Sequence, residues 1–311
     1  MSATGANTYL AMIKQDPATP DVMPATPALT YLNWSEMDVG ADITTSKSNN
    51  VQGTRRLTDV TITGFSVGGG IQAEMMYQFS PNDEMMLAAI MCEKFTADVA
   101  KDGDFVQPFY FEKGHRDIKQ YFKYFGMAVD TWTMEYKDSS MVECSFGFVG
   151  LKEVADGTPS VGATYVAATD NPVFSTITNI SDIKIDGVAT GKCEVKEFTV
   201  EVNNNITGKT GVGVLGACET NAHKIDIGGK FTAYFTDLDL YNKLLAGTPF
   251  SFEWTVKDAN GNGYTFLLPK CKLESDKMPV KGSEDILTDA QFVALGDATA
   301  DYAIQITNIH P

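Results

Sequence analysis

The sequence PFYFE at residues 108–112 returns with one change as PFSFE at residues 249–253, and this repetition decides the fold that we expect. Upstream of each copy, an alternating strand pattern runs into a short acidic helix. These patterns occupy residues 71–79 and 83–90 in the first half and residues 227–235 and 239–245 in the second. A shift of 156 residues, about half of the chain, places Ile71 on Ile227. A repeat of that length is too long for a solenoid and predicts a duplicated domain.

The remaining apolar residues alternate with polar ones in short runs bounded by turn residues, as in β-strands. Besides the repeated segments, such runs lie near residues 29–39, 131–136, 141–148, 183–185, 197–202, 250–257 and 264–268. With one short helix per half and no βαβ alternation, this pattern predicts a mainly β protein. We expect two tandem β-sandwich or barrel-like domains, each with its own core and a flanking short helix.

Proline content and composition indicate how the chain divides. Residues 1–28 contain four prolines among Ala, Thr and Asp, which predicts an extended N-terminal arm rather than a packed element. The first domain is expected at residues 29–154 and its duplicate at residues 179–311. Residues 155–178, rich in Gly, Ala, Thr and Pro, are the expected linker. Residues 41–70 are polar and Gly-rich at both ends, which predicts a long loop or a protruding hairpin.

The 40 acidic residues against 24 basic ones give the chain of 311 residues a net charge of −16. Such a charge repels nucleic acid, because duplex binding depends on Lys and Arg side chains that neutralise phosphates. Acidity alone usually indicates only solubility, and it bears on function only if DNA must pass the protein without sticking. No apolar run reaches the length that spans a bilayer, and the first residues carry no secretion signal, so we expect synthesis and folding in a cytoplasm.

Several motifs resemble catalytic or ligand sites, but each lacks a required residue or context. GVGVLG at residues 211–216 has neither the preceding strand nor the following helix of a dinucleotide site. HRD at residues 115–117 lacks the asparagine of a kinase catalytic loop. DANGNG at residues 258–263 lacks the glutamate that closes a calcium loop and predicts a hairpin turn. Since the five cysteines lack CxxC spacing and the three histidines are scattered, we expect reduced thiols and no metal. No arrangement of nucleophile, base and orienting carboxylate stands out, so we expect no enzymatic activity and no cofactor.

Three segments carry a family resemblance. The first is a glycine-flanked strand at residues 67–79 that runs into the acidic, Met- and Ala-rich helix at residues 83–89. The second is FYFEKG at residues 109–114, which continues through Asp117, Ile118 and Tyr121 to FGMAV at residues 125–129 and closes with CSFGFVG at residues 144–150. The third is VNNNI at residues 202–206 together with LLPK at residues 267–270. Through these segments, most of residues 29–295 resembles the major tail tube proteins of long-tailed, siphovirus-like bacteriophages.

The resemblance implies a structural protein of the virion tail rather than an enzyme. Tail tube domains are β-sandwiches with a flanking helix; their inner sheets join into a barrel, and the rings stack into a hollow tube through which the genome passes. The implied partners are further copies of the chain, the tape-measure, tail terminator and tail-tip proteins, and DNA in transient, non-specific passage, without a membrane. Assembly in the cytoplasm of the bacterial host is implied as well. Two domains in one chain favour a ring of three chains with pseudo-sixfold symmetry, and a ring of six is the alternative.

Three regions are candidates for these roles. The candidates for the lumen are Gln72, Glu74 and Gln78, and those for the contact between rings are Arg55 and Arg56. The lumen residues belong to the first repeated strand, which is otherwise an ordinary strand of a sandwich. The two arginines belong to the long loop, which is otherwise simply solvated. The N-terminal arm is expected to lie along an adjacent subunit or to be a free terminus.

The alternative function is that of a virion decoration protein or an adhesive β-sandwich binding module. It predicts a monomer or small oligomer with exposed Tyr and Trp side chains on a concave face. The three tryptophans, Trp34, Trp132 and Trp254, lie in apparent strands beside apolar residues. That setting favours a place in the core over a binding face.

Overall fold

The computed structural model describes residues 2–50, 56–57, 59–190, 194–234, 238–277, 285–297 and 299–311. Up to residue 156 these form β1 Thr8–Lys14, β2 Ala28–Tyr31, β3 Glu36–Met37, β4 Gly40–Lys47, β5 Val60–Glu74, α1 Glu84–Ala89, β6 Val99–Lys101, β7 Phe109–His115, β8 Gln120–Lys137, β9 Glu143–Gly150 and β10 Lys152–Asp156. Then follow β11 Thr164–Val166, β12 Ile180–Ile185, β13 Val188–Ala189, β14 Val195–Asn203, β15 Thr207–Lys209, β16 Glu219–Asn221, β17 Asp226–Tyr234, α2 Asp239–Ala246, β18 Phe250–Lys257, β19 Gly263–Lys277, β20 Leu287–Ala294 and β21 Gln305–Ile309. The protein is therefore mainly β, as predicted, and its described strands close into no barrel.

Both predicted helices are present. Before α1, the Ser80 hydroxyl accepts a hydrogen bond from the Met85 backbone N–H at 3.1 Å, which satisfies one of the free donors of the first turn. Helix α2 ends at Gly247, whose φ of 61° is the left-handed conformation that glycine adopts at helix C-termini. Across the residues that the structure describes, no helix combines the length and the apolar character needed to span a bilayer.

Eight strands from both halves form one antiparallel sheet, which we name the shared sheet. Its order is β4, β5, β9, β8, β14, β17, β20 and β19. Strands β8 and β19 contribute only residues 128–137 and 271–277, because their N-terminal parts pair in a second layer. The halves meet where β8 pairs with β14, from Lys137 opposite Glu197 to Thr131 opposite Asn203.

Two smaller sheets form the second layer. In the first half the order is β10, β8, β7, β1, β2 and β11. In the second half the order is β12, β18, β19, β21 and β6. Strand β6 comes from the first half of the sequence, so the halves are also joined through this layer.

One hydrophobic core lies between the layers and contains residues of both halves. At the junction, the Trp254 indole N–H donates to the Tyr136 hydroxyl at 2.9 Å, and the Tyr136 and Phe198 rings stack at 4.3 Å. Trp132 and Trp254 are buried, as predicted, and Trp34 packs against the core from outside a strand. The prediction of a separate core for each half is wrong, because the sheet and the aromatic cluster both continue across the junction.

Part of the predicted N-terminal arm at residues 1–28 is packed. Strand β1 pairs with β7 along its whole length, and three of its central residues are fully buried. The buried carboxylate of Glu112 accepts hydrogen bonds from the Tyr9 and Tyr165 hydroxyls at 2.5 and 2.6 Å. The prediction of an unpacked arm is therefore wrong for β1, because the four prolines begin only after this strand.

The predicted linker at residues 155–178 also packs against the rest of the chain. Strand β11 pairs in parallel with β2, and the Ser160 N–H donates to Glu112 at 2.7 Å. Phe174 is fully buried, and its backbone N–H donates to the Met75 carbonyl at 2.8 Å. These residues therefore form part of the folded body.

The two halves repeat the same order of strand pairing. Strands β5, β9, β8 and β7 of the first half correspond to β17, β20, β19 and β18 of the second. On the flanks, β3 and β4 correspond to β14, and β10 corresponds to β21. The pairing shifts register at matching points, between Val129 and Thr131 in β8 and between Leu273 and Ser275 in β19.

Strand pairing corrects the alignment of one repeated strand. Gly69 lies opposite Phe148 of β9, and Gly229 lies opposite Phe292 of β20. Both phenylalanines lie beside the register shift of the next strand, so Gly69 and Gly229 are counterparts. The shift of 156 residues is therefore wrong for this strand.

Candidate functional site: the polar face and edges of the shared sheet

Side chains of the shared sheet alternate between the core and an open face, which we name the polar face. In β8, Trp132 and Met134 point into the core, whereas Thr133 and Glu135 lie on the polar face. One row of cross-strand neighbours on this face consists of Glu74, Glu143, Glu135, Thr199, Lys230 and Gln291. A second row begins with Gln72, Ser145, Thr133 and Glu201. Both halves therefore contribute to one continuous polar surface.

Acidic side chains stand opposite each other on this face. Glu74 pairs with Glu143, and Glu143 pairs with Glu135. Like charges in directly opposite positions destabilise a sheet, so these residues do not serve the stability of the fold. Lys137 offsets part of the repulsion: its ammonium group lies 2.5 Å from the Glu135 carboxylate, and this hydrogen bond raises the pKa of Lys137. The arrangement presents negative charge to whatever faces the sheet.

Two of the three residues proposed for the lumen lie on the polar face. Gln72 and Glu74 point outward from the end of β5, and the Gln72 amide donates to Glu143 at 3.4 Å. Gln78 does not share this face, because β5 ends at Glu74 and Gln78 has a positive φ of 54°. Its backbone N–H donates instead to the Tyr264 hydroxyl at 2.9 Å. The prediction of one strand over residues 71–79 is wrong beyond residue 74.

The segment at residues 41–70 is largely a hairpin of β4 and β5, which was one of the two predicted alternatives. Apolar side chains on its outer part are exposed: Ile43 by 58%, Val60 by 49% and Ile62 by 54%. Arg56 is also exposed, and Arg55 lies outside the described residues. The hairpin therefore offers an apolar surface to solvent.

Sequence reasoning missed Glu135, Glu143 and Glu201, which share the polar face with Glu74. Their strands were predicted, and acidic residues at alternating positions, such as Glu197 and Glu201, were the available signal. That signal was insufficient because the adjacency of β8 and β14 joins segments far apart in the sequence.

The shared sheet ends in two open edges. At one edge β3 and β4 pair with β5, and at the other residues 272–277 of β19 pair with β20. Among the described residues, no further strand lies beside either edge. Unpaired backbone N–H and C=O groups along such edges favour pairing with another strand.

The other motifs have structural explanations. Asp258 accepts backbone hydrogen bonds from Asn260 and Asn262 at 2.8 and 2.9 Å, which confirms the predicted turn at residues 258–263. No group of three His, Cys, Asp or Glu side chains within the described part of the chain is arranged to hold a metal ion. Burial raises the pKa of the free thiols of Cys144 and Cys271 to about 12.

A family model described as phage tail tube protein matches residues 5–294, which is nearly the whole chain and includes both halves and β1. The chain belongs to the phage tail tube protein family. No curated protein sequence gives a significant match. Membership in this family makes the chain a structural protein of the bacteriophage virion, a tail component that associates with itself into a tube and contacts other tail components.

Proposed function

We propose that three copies of this chain close into a ring and that the rings stack into a hollow tail tube through which the DNA genome passes into the host. The pair of open edges on the shared sheet carries this proposal. The strands at both open edges have counterparts that pair with each other inside the chain. The edge formed by β3 and β4 corresponds to β14, and the edge at the end of β19 corresponds to the end of β8. We infer that β19 of one chain pairs with β3 and β4 of the next, as β8 pairs with β14.

The pairing within the chain supplies a register for this contact. Glu201 lies opposite Thr133, and their counterparts Gly40 and Lys277 then lie opposite each other between chains. The burial pattern supports the match: β14 turns Phe198, Val200 and Val202 into the core, and the opposite edge does so with Met37, Val39 and Ala41.

The number of chains per ring follows from the proposed duplication. Residues 29–154 and 179–311 would be two copies of one domain, related by one sixth of a turn and connected by residues 155–178. The matching order of strand pairing and the matching register shifts in β8 and β19 support this relation. Three such chains present six domains, and closure of the ring pairs every open edge.

The polar face would line the lumen. Glu74, Glu135, Glu143 and Glu201 with Gln72 would then face the DNA. Carboxylates repel phosphates and release no counterions on contact, so the duplex would slide without being retained. The tape-measure protein is a further proposed partner of the tube.

The hairpin of β4 and β5 would reach the neighbouring ring. Its exposed Ile43, Val60 and Ile62 would be buried there, and Arg56 would lie beside them. The loop in the corresponding place of the second half exposes Val212 and Leu215 and would make the pseudo-equivalent contact. At the ends of the tube, the same surfaces would meet the tail terminator and tail-tip proteins.

The alternative function is that of a decoration or adhesive module. Such a module would present aromatic side chains, whereas Trp132 and Trp254 lie in the core. The tube also accounts for both open edges, which a monomeric module would leave exposed.

Cryo-electron microscopy of the purified protein at high concentration, with and without isolated tail tips, tests the proposal by counting chains per ring. We expect three chains and a lumen lined by the polar face. Six chains per ring would keep the tube and contradict the duplication argument. Absence of any tube in both preparations would contradict the function itself.

A further inference from the structure

Helices α1 and α2 come after corresponding strands, but their surroundings differ. Residues 85–89 of α1 are all buried. On α2, Tyr241 and Leu245 are 38% and 69% exposed, and Leu238 just before the helix is 54% exposed. These three residues are three and four positions apart, so they form one apolar stripe along the helix. Helix α2 packs on β19 and holds an ion pair from Lys243 to Asp186, and its apolar stripe faces outward.

The second half of the chain covers α1. The Tyr264 hydroxyl donates to the Asp83 carboxylate at 2.6 Å, and the Asn204 amide donates to the Ala89 carbonyl at 3.0 Å. Strand β6, the next element after α1, pairs with β21. The burial of α1 therefore depends on the junction between the halves. It is a second contact there, in addition to the pairing of β8 with β14.

We propose that α2 is buried in the same way by the first half of a second copy of this chain. The proposal rests on the proposed ring and adds a second contact to its edge pairing. An element that continues the shared sheet beyond β19 would pack on α2 in the way that the second half packs on α1. The first half of another copy meets this requirement because it has the same strand order as the second half.

The receiving surface is identified by the same correspondence. Tyr264 of β19 donates to Asp83 just before α1, and β21 pairs with β6 just after it. The counterparts of β19 and β21 are the first part of β8 and β10. This surface carries the half-buried Phe122 and the exposed Ala155, which lie opposite each other in β8 and β10. In the second half only residues 247–249 connect α2 to β18, so no counterpart of β6 covers the outer edge of β10. The apolar stripe of α2 is therefore expected to contact the second copy at β8 and β10.

The test uses Tyr241→Lys with Leu245→Lys, which charges the stripe and also lowers the net negative charge of the chain. Reduced self-repulsion would favour assembly, so any loss of assembly comes from the stripe. A matched control, Val161→Lys with Ile177→Lys, charges two apolar side chains that are 79% and 70% exposed elsewhere. Circular dichroism and the melting temperature should show that both variants fold like the wild type.

Sedimentation velocity in high salt measures the assembly. We expect the α2 variant to raise the dissociation constant for self-association at least about tenfold, with the control unchanged. Ala155→Lys, on the receiving surface, should weaken assembly as well. The two interface variants should form a dimer when mixed, because one intact helix can then meet one intact receiving surface, and growth should stop there.

Contrary outcomes separate the two proposals. Wild-type rings together with unimpaired assembly of the α2 variant would overturn the docking of α2 and leave the tube intact. Equal loss in the control variant, or no dimer from the mixture, would also overturn the assignment of α2 to the surface of β8 and β10. A wild type that stays monomeric even on isolated tail tips would contradict the proposed function, and the docking with it.

Discussion

Helices α1 and α2 are similar in length and in their place between strands, yet α1 is fully packed and α2 leaves an apolar stripe in solvent. The difference lies in the part of the chain that comes after each helix. The second half covers α1, whereas among the described residues no segment stands in the same position beside α2. Corresponding helices in the two halves thus differ in what covers them, and the exposed stripe of α2 is where the proposed contact with a second copy can be tested.

The largest expected effect concerns the junction that buries α1. Trp254→Ala removes a fully buried indole that donates to Tyr136 and is expected to lower the free energy of unfolding by about 3–5 kcal/mol. Because the core is shared, denaturant unfolding should remain a single transition in the wild type and in the variant. Two separate transitions would show that the halves fold independently. That result would contradict the shared core on which the comparison of the two helices depends.

The next comparison sets one helix directly against the other. Leu87→Ala in α1 removes a buried side chain and should cost about 2–5 kcal/mol of unfolding free energy. Leu245→Ala in α2 removes an exposed one and should change the stability of the monomer by less than about 0.5 kcal/mol. Urea titration at low protein concentration measures both values, and equal losses would mean that α2 is as firmly packed as α1.

The paired glycines sharpen the correspondence between the halves. A methyl group at Gly69 would lie 2.7 Å from the Asp38 carbonyl oxygen, at a φ of 119°, and one at Gly229 would clash with the Thr199 carbonyl oxygen. Alanine at either position should therefore destabilise the fold by about 1–3 kcal/mol. Gly157→Ala, where nothing lies within 4 Å, is the control. A neutral effect at only one of the two counterparts would contradict their equivalence.

The last expected effect is a pH dependence at the covered helix. Burial raises the pKa of Asp83 from 3.8 to about 7, and the Tyr264 hydroxyl that donates to it opposes this rise. The folded chain then holds a proton that the unfolded chain releases, so the contribution of Asp83 is full below pH 3.8 and is lost as the pH rises to about 7.

Asp83→Asn keeps an acceptor for Tyr264 and removes the titration. Across this interval, the wild type should lose about 1.4 kcal/mol per pH unit relative to the variant. Unfolding free energies between about pH 5 and 7.5 measure the difference, and parallel curves for the two proteins would contradict a neutral, buried Asp83.

Local patterns in the sequence predicted most individual elements, because alternation and turn chemistry act within a few residues. Both helices, β7, β9 and the turn at residues 258–263 are examples. The pattern failed where a strand stops for a tertiary reason: the alternation through Gln78 continues past Glu74, but the chain turns there to deliver α1 to the junction. It failed again at β1, whose apolar run YLAMI at residues 9–13 has no polar alternation and precedes a proline-rich segment.

The candidate site was harder to predict than the fold. Gln72 and Glu74 were found because they lie in one recognisable strand, whereas Glu135 and Glu201 belong to the same surface only through the adjacency of β8 and β14. The family resemblance predicted that inner sheets join side by side. The sequence predicted a separate core for each half, and the resemblance did not predict that the sheets of the two halves share one core.

The internal joint between β8 and β14 also bears on how the chain is made. Strand β8 leaves the ribosome before β14 has been synthesised, so for a time its edge and the apolar surface around Tyr136 have no partner. Because the core is completed only by the second half, a nascent first half cannot reach its final stability. The complete core therefore forms only after both halves of the chain have left the ribosome.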